Sequence, residues 1–83
     1  MKQEIIKLES RYKDVNSELV QVENNKYLLN TNSEYIRLSR AENSTIYSID
    51  LEGGPMISVG HTIQGKKIKS IINKYVIEFE WFT

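Results

Sequence analysis

Apolar residues in the first third of the chain recur at intervals of three and four: Ile5, Leu8, Tyr12, Val15, Leu19 and Val22, then Leu29, with Lys26 in the slot between. Such spacing returns side chains to one stripe of a helix and follows the a/d rhythm of a heptad repeat. No glycine or proline interrupts residues 4–29, and Glu9 precedes Lys13 by four positions, the orientation that supports a helix. Asn30-Thr31-Asn32-Ser33 then offers side chains that compete with a helical main chain for hydrogen bonds. The pattern predicts an amphipathic helix over residues 2–29, within an N-terminal segment 1–32.

A heptad seam invites self-pairing, and the flanking charges oppose it. With Ile5 at position a, Glu4 and Glu18 fall at g, while Glu9 and Glu23 fall at e. A parallel in-register dimer would set Glu4 against Glu9 of the second copy and Glu18 against Glu23, and Arg11 facing Asn16 offsets neither repulsion. The stripe is therefore expected to pack on the chain's own sheet or on a different protein. Leu8, Tyr12, Val15, Leu19 and Val22 are its candidate contact residues.

Beyond Ser33 the period changes from helical to two. Ile36 and Leu38 alternate with Tyr35, Arg37 and Ser39; Tyr47, Ile49 and Leu51 share one side of the run 45–51. Glu52-Gly53-Gly54-Pro55 is a turn signal, Met56 to Val59 a short strand, and Gly60 and Gly65 bracket a compact loop. Lys66 to Ile72 and Tyr75 to Phe82 suggest a hairpin around Asn73-Lys74, with Tyr75, Ile77, Phe79 and Trp81 on one side and Val76, Glu78, Glu80 and Phe82 on the other. The expected fold class is α+β: a long N-terminal amphipathic helix, then a small antiparallel β-sandwich or half-barrel of about five strands over residues 33–83.

Composition narrows the function classes. Eighty-three residues support one small core, burying roughly 60–65% of the surface exposed on unfolding. Without cysteine there is neither a disulfide nor a thiolate metal site. Eleven basic residues balance eleven acidic ones, which argues against a nucleic-acid partner. No apolar run approaches the ~20 residues needed to span a bilayer, and Met1-Lys2-Gln3-Glu4 does not read as a signal peptide. The chain is expected to be soluble where it is made, or to have lost a targeting segment.

No catalytic, cofactor or metal constellation emerges. His61 is the sole histidine and is expected to be a loop residue that hydrogen-bonds a neighbouring carbonyl. Lys66, Lys67 and Lys69 form a small basic cluster, but Lys67 and Lys69 are expected to face Glu78 and Glu80 across the hairpin. Trp81 and Phe82 read as core plugs. With no small-molecule substrate indicated, the expected activity is protein–protein interaction.

The run of the second half carries a resemblance. Ile46 to Leu51, the Glu52-Gly53-Gly54 turn, Val59-Gly60-His61-Thr62-Ile63-Gln64-Gly65, Ile68 to Ile71 and Tyr75 to Phe79 follow one order. That order resembles the periplasmic homology region of the inner-membrane component of type II secretion systems and PilP-type type IV pilus biogenesis proteins. His61 stands where the family carries an acidic residue. The resemblance spans residues 35–80, and residues 2–29 look like the helical segment that some pilus members carry. It implies a non-catalytic periplasmic scaffold that docks a secretin N-terminal domain or another assembly component. An exposed strand edge would serve such docking, and the first strand, Tyr35, Ile36, Arg37, Leu38 and Ser39, is the candidate. The competing expectation is a small phage- or plasmid-encoded protein that binds and inhibits a host protein in the cytoplasm.

Overall fold

The structure is a computed structural model describing residues 3–44 and 46–80. Nine strands follow in order: β1 (Ile5–Leu8), β2 (Ser17–Gln21), β3 (Lys26–Thr31), β4 (Ile36–Arg40), β5 (Tyr47–Leu51), β6 (Met56–Ser58), β7 (Thr62–Ile63), β8 (Lys66–Asn73) and β9 (Val76–Phe79). Among the described residues there is no helix, so the α+β expectation is overturned. The fold is all-β, and the segment read as helical forms β1, β2 and β3.

Both periods coexist in that segment, and burial shows which prevailed. Ile6 and Leu8 alternate in β1, Ser17 and Leu19 in β2, Tyr27 and Leu29 in β3, and all of these except Leu8 are buried. A stripe with intervals of three and four switches parity at each odd step, so in strands its members fall on both faces. Ile6 and Tyr27, which lie off the heptad seam, are core residues; Tyr12 and Val22, which lie on it, are 51% and 45% exposed. Isoleucine, valine, threonine and tyrosine favour pleated backbone, and Asn24-Asn25 supplies a hairpin turn between β2 and β3.

Six strands form one curled antiparallel sheet in the order β1-β2-β3-β9-β8-β7; β4, β5 and β6 form a second. Residues 26–28 of β3 thus pair with 76–78 of β9, joining the beginning and end of the chain in a single sheet. The expected count of about five strands falls short because β1, β2, β3 and the short β7 lie outside it. The strands read at 35–39, 45–51, 56–59, 66–72 and 75–82 appear as β4, β5, β6, β8 and β9 with shifted ends. Trp81 and Phe82 lie outside the described residues.

The core lies between the sheets. Ile6, Leu19, Tyr27, Leu29, Ile68, Ile71, Ile77 and Phe79 come from the large sheet, and Ile49, Leu51 and Ile57 from the small one. Tyr27 and Phe79 meet edge to face, with ring centroids 5.0 Å apart at 83°. The chain passes between sheets at residues 58–61. The Val59 N–H donates to the Tyr47 carbonyl (3.1 Å) of the small sheet, and the next N–H, that of Gly60, donates to Ile68 (2.9 Å) of the large one. Gly60 has φ +92°, a left-handed conformation that other residues adopt only with strain.

A second junction joins the β1–β2 connection to the β5–β6 turn. Arg11 N–H donates to the Gly53 carbonyl (3.0 Å), and Ser10 Oγ to the Glu52 carbonyl (3.4 Å). Gly53, at φ +77°, leaves no room for a methyl group: a Cβ there would stand 2.6 Å from Ser10 Oγ and 2.8 Å from Tyr12 Cδ2.

Candidate docking edge

Strand β4 pairs with β5 on one side only, and in the sheet order β4-β5-β6 it is the outer strand. Its register sets Ile36 opposite Leu51, Arg37 opposite Asp50, Leu38 opposite Ile49, Ser39 opposite Ser48 and Arg40 opposite Tyr47. Just past the strand, the Ala41 N–H donates to the Ile46 carbonyl (3.1 Å). Hydrogen-bonded positions alternate in an antiparallel ladder. Counting back from Ala41, Ser39 and Arg37 exchange bonds with β5, whereas the N–H and C=O groups of Arg40, Leu38 and Ile36 point away from it. Among the described residues no strand pairs with that outer side.

Side chains on β4 divide in the same alternation. Ile36, Leu38 and Arg40 lie opposite Leu51, Ile49 and Tyr47, on the side facing the core, and Ile36 packs against the core cluster. Leu38, although it shares that side, is 40% exposed, while Ile49 beside it is fully buried. The inner surface of the small sheet therefore overhangs the core along its open edge. Arg37 lies on the outer face beside Asp50, and among the described residues no ion pair engages Arg37 or Arg40.

The candidate residues predicted from sequence separate into two groups. Tyr35, Ile36, Arg37, Leu38 and Ser39 do lie together, at the start of and along the edge strand; Tyr35 precedes β4 and is exposed. Leu8, Tyr12, Val15, Leu19 and Val22 do not all share one surface. Leu8 ends β1 and packs against the core, Leu19 is at its centre in β2, Tyr12 and Val15 share the β1–β2 connection, where they line a cavity with Leu8, and Val22 lies in the β2–β3 connection. The seam disappears with the helix that would have aligned it.

Other sequence expectations meet mixed outcomes. The His61 N–H donates to the Ser58 carbonyl (3.1 Å) and its carbonyl accepts from Ile68 (2.8 Å), so its main chain serves the corner between sheets. Lys69 reaches Glu78 at 3.9 Å, as expected of cross-strand charges. Lys67 is bonded to Glu80 only through the main chain, where its carbonyl accepts from Glu80 N–H (2.8 Å). Lys66 instead pairs with Glu4, which also accepts from the Tyr27 hydroxyl (2.5 Å). This Lys66–Glu4–Tyr27 group links the residue before β1 to β3 and β8, and no local motif announces it. Lys66 and Tyr27, in that order, hold the Glu4 carboxyl below its ordinary value; burial, with Glu4 beside it, pushes the Tyr27 hydroxyl up.

A second feature missed from sequence is an aliphatic row on the outer face of the large sheet. Ile5 lies opposite Val20, Val20 opposite Leu28, and Leu28 opposite Val76, across β1, β2, β3 and β9. Among the described residues no group of three or more histidines, cysteines or carboxylates is placed to hold a metal ion, and no helix is long and apolar enough to cross a membrane. Comparison with family models, with curated proteins and with solved structures finds no match to this chain.

Proposed function

We propose that the chain is a non-catalytic adaptor that captures an extended segment of a partner protein as an added strand along β4. The observation that carries this reading is the open edge itself. Ile36, Leu38 and Arg40 present outward main-chain donors and acceptors, and Leu38 and Ile36 beside them offer apolar side chains on the inner face. An incoming strand would satisfy the former and cover the latter in one step. In its more specific form the partner is a secretin N-terminal domain, or another component of a pilus or secretion assembly, in the periplasm. What supports that form is the motif from Val59 to Gly65, whose glycines at 60 and 65 both adopt left-handed backbone, and the strand order that follows it.

Amide hydrogen exchange on the full chain, read by NMR, provides the test. In the free protein the amides of Leu38 and Arg40 should exchange rapidly and those of Arg37 and Ser39 should be protected. Peptides selected from a displayed random library should protect Leu38 and Arg40, and should lose binding to Leu38→Pro. Proline there deletes an outward N–H without removing a β4–β5 bond, and edge strands tolerate it. Peptides that bind Leu38→Pro equally well, or protect other strands instead, would overturn the proposal.

A further inference from the structure

Resting on strand capture at β4, we infer that the captured segment is an acidic strand: aliphatic opposite Leu38 and Ile36, and carrying Asp or Glu opposite Arg37 and Arg40. Three observations define it. Arg37 and Arg40 are the only charged residues of β4 (Ile36–Arg40), and both are exposed. They stand on opposite faces of the strand, since three positions separate them and side chains alternate. Among the described residues neither is engaged in an ion pair, although Asp50 lies beside Arg37 in register and Glu34 and Glu42 flank the strand in sequence.

A strand laid against the outer side of β4 would extend the existing ladder. In the antiparallel orientation its residues meet Arg40, Ser39, Leu38, Arg37 and Ile36 in turn. Directly opposed side chains across such a pair lie close enough for charge to count, and like charges there repel. Opposite Leu38 an aliphatic residue completes the overhanging inner face. Opposite Arg37 on the outer face, and Arg40 on the inner, a carboxylate is favoured and a lysine opposed. The segment that fits therefore reads acidic, polar, aliphatic, acidic, aliphatic from its N-terminus.

The same charges disfavour a second copy of this chain. Two β4 strands crossing antiparallel at Leu38 would set Arg40 opposite Ile36 and Arg37 opposite Ser39 of the other copy, so neither arginine meets a directly opposed carboxylate. An acidic partner strand in the register above places a carboxylate directly opposite each.

Two synthetic peptides test the inference on the intact chain, one with the core Glu-Thr-Val-Glu-Val and one with Lys-Thr-Val-Lys-Val. Their affinities would be measured by NMR titration, with protection of the Leu38 amide as the sign of edge pairing. The acidic peptide should bind about tenfold more tightly. The gap should narrow in high salt, vanish in Arg37→Gln/Arg40→Gln and invert in Arg37→Glu/Arg40→Glu. Equal affinity of both peptides, with Leu38 protected in each, would overturn the acidic preference and leave strand capture standing. Failure of both peptides to protect Leu38 would overturn both readings. Protection of Leu38 in a peptide-free dimer would assign the edge to a second copy and overturn the acidic partner.

Discussion

Leu38 and Ile49 stand directly opposite each other across the β4–β5 pair, yet Ile49 is fully buried and Leu38 is 40% exposed. Two aliphatic residues on one face should therefore respond differently to truncation. Ile49→Ala removes atoms enclosed by both sheets and should cost about 2–5 kcal/mol. Leu38→Ala loses only part of a buried surface and should cost about 1 kcal/mol or less. Urea denaturation of both variants checks this; a Leu38 loss as large as that of Ile49 would mean that the overhang is part of the core.

The edge strand was legible in sequence because Ile36 to Ser39 has one period only. Alternation there competes with no helical spacing, and Asn32-Ser33 marks a break before it, although Asn30 and Thr31, expected to lie in that break, belong to β3. The N-terminal segment was misread because its intervals of three and four accommodate a helix as well as a strand. What decided between them is non-local: β3 acquires β9 as a neighbour from the far end of the chain, and Tyr27 packs on Phe79. Spacing within residues 5–29 holds no information about that neighbour. The Lys66–Glu4–Tyr27 group was hidden for the same reason, since its members come together only when the sheet curls.

Gly53 and Gly60 both have positive φ, but only Gly53 is sterically enclosed. Gly60→Ala meets open space and should cost only the backbone term, about 1–2 kcal/mol. Gly53→Ala adds a methyl group against Ser10, Tyr12 and the Arg11 amide, so it should be the more destabilising by chemical denaturation. It should also loosen the β1–β2 connection, visible as faster exchange of the Arg11 amide, whose acceptor is the Gly53 carbonyl. Equal losses at the two glycines would show that the connection yields freely.

Glu4 and Tyr27 make stability depend on pH in opposite directions. The Glu4 carboxyl is held below its ordinary 4.5, by Lys66 foremost and then Tyr27. Its contribution is therefore complete above the unfolded value and is lost as pH falls through the lower folded one. Tyr27 is raised above its ordinary 10.0, by burial foremost and then by Glu4. Its contribution is complete below 10.0 and diminishes as pH rises beyond it, because the unfolded chain ionises first. Denaturation midpoints across the pH range should show Glu4→Gln with a shallower acid decline than the parent, and Tyr27→Phe with a shallower alkaline one. Parallel profiles for parent and variants would remove these groups from the linkage.

Asn25 secures the β2–β3 turn to the end of β9. It is buried, its Nδ2 donates to the Phe79 carbonyl (3.0 Å), and its own carbonyl accepts from the Phe79 N–H (2.7 Å). The main-chain bond survives any substitution, so side-chain variants isolate the amide. Asn25→Ala leaves the Phe79 carbonyl without that donor, a loss of about 1–3 kcal/mol. Asn25→Asp retains the shape but turns an acceptor toward an acceptor, and at neutral pH it should cost more than alanine does. Protonation gives the aspartate a donor, so its deficit should shrink as pH falls toward 4. Urea midpoints of the two variants at neutral and acid pH give the comparison. If both variants keep the parent's midpoint at neutral pH, the bond to Phe79 carries no stability.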